Sequence, residues 1–251
     1  MLTTTGKAGK FAQIRGKRNK GQARLEPLWE TEARAGPKME ARAHLLQAAA
    51  SAFTERGYAA TTLDHVAEKL GTTKGQIYHY YRSKVDLYYD VVVGAFFMIN
   101  ERVAPIADLP DVDVRERLRR LAHAHAVVII TTFSFQRVAL EATQHQLIAT
   151  LSSRQERAMS RITLLSDEYE ATVSRLIAEG AASGAFEVVT VPLATKAVLG
   201  ALNWLTVWFD PKISRNEATA DRIANGVADF VVAGLLPNPL ISALMSYSDS
   251  N

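Results

Sequence analysis

The chain has 251 residues, a length that allows one large domain or two small ones with a substantial apolar core. It has no cysteine, which excludes disulfides, thiolate metal sites and cysteine nucleophiles, and the cytosol is the default compartment. Hydrophobic residues make up 48% and charged residues 22%, a composition typical of a folded globular protein. The longest uncharged apolar runs, 127–135 and 197–209, are shorter than the roughly 20 residues that span a bilayer. We therefore expect a cytoplasmic protein without a membrane span.

The charge is unevenly distributed although the net charge is only +3. Residues 1–38 carry nine lysines and arginines against three glutamates, a net charge of +6, so the remainder carries −3. Two interpretations of the arm 1–37 stay open. A Gly- and Lys-rich arm is typical of a solvated tail, and it is equally suited to lie along the phosphates of DNA.

From Lys38 onward, apolar residues recur at helical spacing and Gly or Pro stands at most junctions, which predicts an all-α chain. The first helix is expected over 38–56, with Gly57 placed for a left-handed C-cap. A longer helix is expected from Lys84 to Pro105, because proline cannot continue it.

Five further helices are predicted in the rest of the chain. The first is capped by Asp111 or Asp113 and reaches Thr131, and a short one follows from Phe133 to His145. A long helix runs from Ser153 to Ser183, and the next runs from Pro192 to Phe209. The last begins at a Ser214–Glu217 capping box and ends near Leu235. Gly184 is placed to stop the long helix, and residues 237–251 form a short Ser-rich tail.

Two short capped helices lie between the first and fourth helices. Thr61 and Asp64 have the spacing of one capping box, and Thr73 and Gln76 have the spacing of a second. Gly71 separates the two helices. A helix, a tight glycine turn and a second helix predict a helix-turn-helix, whose second helix enters the major groove of DNA. The alternative is an αα-hairpin within a helical bundle.

Polar residues around the second of these helices suit DNA recognition. Lys74, Gln76 and His79 have donors and acceptors that match base edges, and hydroxyls, phenols and a further lysine nearby can hold phosphates. The expected DNA contacts are Thr61, Thr62, Thr72, Thr73, Lys74, Gly75, Gln76, Tyr78, His79, Tyr81 and Lys84.

These residues also carry a resemblance to a known family. The segments concerned are Phe53-Thr-Glu-Arg-Gly-Tyr58, Thr61-Thr62, Val66-Ala67, Leu70-Gly71-Thr72-Thr73-Lys74-Gly75, Ile77-Tyr78-His79-Tyr80-Tyr81 and Ser83-Lys84. Together they resemble the DNA-binding domain of the TetR family of bacterial regulators, without gaps over roughly 43–91. The resemblance implies a helix-turn-helix domain over 38–83 and an effector-binding and dimerisation domain over 84–236. It also implies a homodimeric repressor that binds a palindromic operator and is released by a small molecule.

The last two helices suit the dimer contact that the resemblance implies. Their small and apolar residues could build a four-helix bundle between two copies, or could belong to the core within one chain. The candidates are Ala197, Gly200, Ala201, Leu205, Ile223, Val227, Phe230 and Val231.

Aromatic residues of the C-terminal half are the candidate walls of an effector cavity, although aromatics at helical spacing also form ordinary cores. They are Phe96, Phe97, Phe133, Phe135, Tyr169, Trp204 and Trp208. The stretch 203–211 is similar to the eighth helix of family members that sense acyl-CoA metabolites. The effector class stays open between an acyl-CoA or related apolar carboxylate and an unrelated hydrophobic compound.

An enzyme would need a catalytic or metal-binding constellation, and the sequence offers none that is convincing. His123 and His125 are two residues apart and point to different sides of a helix. No Gly-x-Ser-x-Gly elbow, phosphate-binding loop or dinucleotide fingerprint is present. We expect no metal, no cofactor and no catalysis. The remaining alternative is a helical scaffold that uses its basic arm on anionic lipid.

Overall fold

The computed structural model describes residues 37–144, 151–212 and 217–238. These ranges contain nine α-helices and no β-strand, which confirms the all-α prediction. The helices are α1 Pro37–Ala60, α2 Leu63–Leu70, α3 Lys74–Tyr78, α4 Lys84–Ala107, α5 Val114–Thr131, α6 Phe133–Gln144, α7 Ser153–Ala182, α8 Val191–Trp208 and α9 Glu217–Ala233. The basic arm 1–36, Ser214 of the last predicted capping box and most of the tail lie outside the described residues.

The first predicted boundary is close but not correct in detail. Gly57 has φ +76° and ψ 159°, which an L side chain rarely adopts, so the glycine is required there. Helical residues nevertheless resume after it and continue to Ala60. The first capping box is displaced by one residue. Thr62 rather than Thr61 is the N-cap of α2, and it exchanges two hydrogen bonds of 3.2 Å with His65.

The boundaries of the later helices follow from their capping residues. Asp113 opens α5 by accepting hydrogen bonds from the amides of Arg115 and Glu116, so Asp113 and not Asp111 is the N-cap. Gly184 has φ +72° just beyond α7, as its predicted role requires. Pro105 was expected to end α4, but it lies inside the helix, which continues for two more residues.

The apolar faces of the C-terminal helices meet in one core. α4 packs against α5, α6 and α7, α8 packs against α5, α6, α7 and α9, and α9 packs against α5. Leu118, Leu121, Val173, Leu176 and Leu202 are all fully buried there. This packing holds α4 in place, and α4 is the helix that directly follows the helix-turn-helix.

A buried ionic cluster joins α1 to α4 and α7. The carboxylate of Asp90 accepts hydrogen bonds from Arg42 at 2.6 Å and from Arg154 at 3.1 Å. Arg42 also donates to the hydroxyl of Tyr81 at 3.0 Å, and Tyr81 lies three residues after the end of α3. Both guanidinium groups lie over the Tyr81 ring, 5.5 and 5.3 Å from its centroid. The cluster therefore fixes the C-terminal side of α3 against three other helices.

Near the end of α7, Gly180 leaves room for the aromatic ring of Phe186. Phe186 is buried, and its amide donates to the carbonyl of Gly180 at 3.0 Å. A Cβ added to Gly180 would lie 2.0 Å from Cδ2 of Phe186, well inside van der Waals contact. No side chain fits at position 180 unless this ring moves.

We expect Gly180→Ala to lower the free energy of unfolding by about 2 kcal/mol, because the added methyl overpacks the Phe186 site. Gly75→Ala is the control, since its Cβ would meet only ordinary contact at 3.7 Å and alanine favours a helix. Urea unfolding at one fixed protein concentration measures both. A Gly180 variant as stable as the Gly75 variant would contradict this packing.

We expect Asp90→Asn to lower the free energy of unfolding by about 3 kcal/mol, because both arginines lose their anionic partner in a buried site. The exposed pair between Lys196 and Glu170 is the matched control. Glu170→Gln should cost about 0.5 kcal/mol or less, since surface ion pairs contribute little. Equal losses from the two variants in urea unfolding would show that Asp90 is not an organising residue.

Candidate nucleic-acid interface, dimer face and effector cavity

The helix-turn-helix is held together by a short apolar core and a left-handed turn. Leu63, Val66 and Ala67 of α2 are buried, as is Ile77 of α3. Gly71 has φ +69°, and its amide donates to the carbonyl of Glu68 at 3.1 Å. The chain therefore reverses tightly and presents the start of α3 to solvent.

Most of the predicted recognition residues are exposed. Tyr78 is 49% exposed although it is a large aromatic residue. Thr73 is the N-cap of α3 but makes no side-chain capping hydrogen bond, so the predicted second capping box does not form. The exposed members of the predicted set are Thr62, Thr73, Lys74, Gly75, Gln76, Tyr78 and His79, and Thr72 is half-buried.

Several of these residues have partners within the helix-turn-helix. The ammonium of Lys74 donates to Oδ2 of Asp64 at 2.7 Å, and this carboxylate raises the pKa of Lys74. The hydroxyl of Thr72 donates to the side-chain oxygen of Gln76. Gln76 is thus oriented by the turn and not by Thr73.

The predicted DNA contacts of Thr61 and Tyr81 are wrong, because both side chains are buried inside the protein. Thr61 is fully buried, and its hydroxyl donates to the carbonyl of Gly57 at 2.7 Å. Tyr81 is fully buried in the Asp90 cluster, where burial raises the pKa of its phenol. Lys84 donates to the carbonyls of 58, 59 and 61, which end α1. It thus caps a helix C-terminus, but it is only half-buried, and its contact with a phosphate stays a prediction.

Arg82 is an exposed cation that the sequence interpretation missed. It lies between Tyr81 and Ser83, in the loop that leads from α3 into α4. No hydrogen bond or ion pair joins it to the described part of the chain. The position of Arg82 just after α3 could have indicated a DNA contact, but the sequence interpretation named the neighbouring Lys84 instead.

The faces of α8 and α9 form an open groove of about 650 Å³. Five of the predicted dimer residues line it, namely Gly200, Ala201, Ile223, Val227 and Phe230. Ala197 is exposed on the same helix as Gly200. The assignment of Leu205 and Val231 to the dimer face is wrong, because both side chains are buried against the chain's own helices.

The two tryptophans belong to this groove and not to a cavity. Trp204 is 62% exposed and Trp208 is 52% exposed, and both line the groove beside Phe230, which is 73% exposed. In the chain as described they do not enclose a cavity, and their assignment as effector-pocket walls stays a prediction. Three large aromatic side chains in one exposed apolar patch are typical of a protein contact surface.

The other predicted effector residues have mixed positions. Phe96 lines a cavity of about 100 Å³. The remaining lining residues are Ile99, Ile129, Gln136, Ala139, Leu140, Asn203 and Thr206. Phe135 instead packs in the core beside Gly94, and Phe133 contacts Phe209 with ring centroids 5.7 Å apart. Phe97 is half-buried, and it does not line this cavity.

Tyr169 forms a polar pair in the apolar interior. Its hydroxyl lies 2.5 Å from Nδ1 of His125, and both side chains are buried. Burial lowers the pKa of His125 to about 3, so the imidazole is neutral at physiological pH. Nε2 of His125 is buried without a hydrogen-bond partner in the described ranges. A buried polar atom without a partner is unusual, and it lies one helical turn from Ile129 of the small cavity.

No cluster of three or more metal-ligating side chains occurs among residues 37–144, 151–212 and 217–238. None of their helices has an apolar stretch long enough to traverse a bilayer.

Comparison with known proteins matches both halves of the chain. Residues 45–91 match the family model described as bacterial regulatory proteins, tetR family. Residues 111–235 match the model described as tetracyclin repressor-like, C-terminal domain. Together the two segments cover more than half of the chain.

Individual relatives agree with these models. The HTH-type transcriptional repressor KstR2 of Mycobacterium tuberculosis is 33% identical over 113 residues, which are 42% of this chain and 56% of that repressor's length. The TetR-family regulator PfmR of Thermus thermophilus has 28% identity and a TM-score of 0.63, covering 77% of this chain and 99% of its own. AibR, solved with isovaleryl coenzyme A and operator DNA, shares the fold at 20% identity and a TM-score of 0.58, covering 76% of this chain and 96% of its own. The chain belongs to the TetR family of bacterial regulators.

Proposed function

We propose that the chain is a homodimeric transcriptional repressor that binds a palindromic DNA operator through α3 and leaves it when an apolar effector binds. The observation that carries this proposal is the arrangement of α2, the Gly71 turn and α3. It exposes Lys74, Gln76 and Tyr78 at a helix whose only buried side chain is Ile77. Such a helix is anchored by one residue and offers the rest of its surface to a partner.

The start of α3 has the chemistry that a duplex requires. Gln76 and His79 carry donors and acceptors for base edges, while Thr62 and Thr73 have hydroxyls that suit phosphates. Gly75 supports the same interpretation, because a Cβ there would meet nothing closer than 3.7 Å. The fold of the chain itself therefore does not demand this glycine. A bare backbone at this position permits close approach of a phosphate.

The groove between α8 and α9 supports the dimer. Exposed apolar patches of this kind are uncommon on monomers, and a twofold axis through the groove would let each Phe230 and Trp204 meet the same face of the second copy. The two α3 helices of such a dimer reach successive major grooves, about 34 Å apart.

The cavity beside Phe96 is the proposed effector site. Its walls combine apolar side chains with the polar groups of Gln136, Asn203 and Thr206, a mixture typical of ligand sites. A volume of about 100 Å³ holds only a small group, so a larger effector must widen it. We propose more specifically that the effector is an acyl-CoA. AibR, solved in complex with isovaleryl coenzyme A, supports it by fold alone, and an unrelated apolar compound is the alternative.

We expect Lys74→Ala and Tyr78→Ala to weaken operator binding by about 1 to 3 kcal/mol each, because both remove exposed contacts of α3. Lys212→Ala is the control, since this exposed lysine follows α8 and is remote in sequence from α3. The operator is first selected from genomic fragments with the purified protein, and fluorescence anisotropy then gives the affinities. If both α3 variants bind as wild type does, α3 is not the recognition helix.

We expect wild type to be a dimer near 55 kDa, twice the 27.5 kDa of one chain, and Phe230→Asp to be a monomer. The aspartate would place a charge in the centre of an apolar interface. Val189→Asp is the matched control, because Val189 is 67% exposed and lies outside the groove. Light scattering at micromolar concentration distinguishes the species. A dimer that survives Phe230→Asp would place the interface elsewhere.

A further inference from the structure

Lys74, the lysine at the start of α3, is already paired within the protein. Nζ of Lys74 lies 2.7 Å from Oδ2 of Asp64, which stands in the first turn of α2. The two side chains are 45% and 62% exposed, so solvent and other partners reach both. A duplex that uses Lys74 must therefore meet Asp64 as well.

Other lysines of the helix-turn-helix are engaged in the same way. Lys69, at the end of α2, pairs with the carboxylate of Glu55 at 2.8 and 2.9 Å. Lys84 donates to three backbone carbonyls of residues 58–61. Among the lysines of the described residues 61–84, each thus has an oxygen partner from the protein itself.

We propose that Asp64 limits the affinity of the helix-turn-helix for DNA, by holding Lys74 in the free protein and by placing a negative charge beside the approaching phosphates. The inference rests on the proposed function, because it takes α3 as the helix that meets DNA. It assigns to Asp64 a role in setting affinity that does not require contact with a base.

Asp64 competes with the phosphate for Lys74 and also repels the phosphate, and both effects lower the affinity for DNA. A phosphate that binds Lys74 must replace the Asp64 carboxylate, so the protein loses one ion pair for each that it gains. The displaced carboxylate stays within a few ångströms of the phosphate, at a distance far shorter than the Debye length of about 8 Å. Sequence-independent binding depends almost wholly on cation–phosphate contacts, so this carboxylate reduces it directly. Base contacts of Gln76 and His79 then contribute a larger share of the total.

The test uses the full chain and a short mixed-sequence duplex without a palindrome, followed by fluorescence anisotropy between ~50 and ~200 mM salt. We expect Asp64→Asn to bind this duplex about fivefold more tightly than wild type at the lowest salt. The plot of log affinity against log salt should steepen by about one unit, since one more phosphate is neutralised. Asp64 is exposed and is not the N-cap of α2, so we expect the fold to persist, and circular dichroism verifies it.

Two further variants separate the Lys74 pair from a general effect of charge. Glu55→Gln removes an equal charge and releases an equal lysine, Lys69, away from the start of α3. We expect it to change the affinity by about twofold or less. In a Lys74→Ala background, Asp64→Asn should also gain only about twofold, because no lysine remains to be released.

Each outcome has a defined meaning. The inference is overturned if Asp64→Asn binds within about twofold of wild type with the same salt slope, or if Glu55→Gln gains as much. It is also overturned if the gain is undiminished without Lys74. If neither wild type nor Asp64→Asn binds any duplex at ~50 mM salt, the proposed function itself fails, and the inference with it. A fivefold gain that needs Lys74 confirms it.

Discussion

The carboxylate of Asp90 is the point on which the position of the helix-turn-helix depends. It accepts from Arg42 of α1 and from Arg154 of α7, and Tyr81 lies beneath both guanidinium groups. A buried ion pair is favourable only when its geometry and remaining hydrogen bonds are complete. Because Tyr81 lies only three residues after α3, the cluster also fixes the position of α3. Any shift of the start of α7 must either carry Asp90 and α3 with it or break the cluster.

Local chemistry made most of the fold predictable. Helical spacing located the helices, and single residues such as Asp113 and Gly184 marked boundaries to within a few residues. The failures have a common physical reason. Thr61 and Thr62 are adjacent and chemically equal, and only the burial of Thr61 against α1 decides which one caps α2. Gly57 has a positive φ as expected, yet its ψ of 159° is not that of a left-handed C-cap, and the helix resumes beyond it.

The candidate site was predictable where it depends on exposure at a helix start and unpredictable where it depends on distant partners. The exposed residues of α3 were identified, whereas Tyr81 was misassigned because its partner Arg42 lies far from it in sequence. The tryptophans illustrate the same limit. Trp204 and Trp208 are four residues apart and share one face of α8, but periodicity does not tell whether that face meets the chain's own core or solvent.

In the proposed dimer, weak cation–phosphate contacts at each helix-turn-helix would have a consequence for regulation. If Lys74 is held by Asp64, one copy alone binds a half-site poorly, and useful affinity requires two copies that engage together. Bivalent binding depends steeply on whether both sites can be reached at once. The spacing of the two α3 helices then controls DNA binding more strongly than any single contact does. In the proposed function, a ligand that widens the cavity beside Phe96 would need only to shift this spacing, through α4 and the Asp90 cluster, to release the operator.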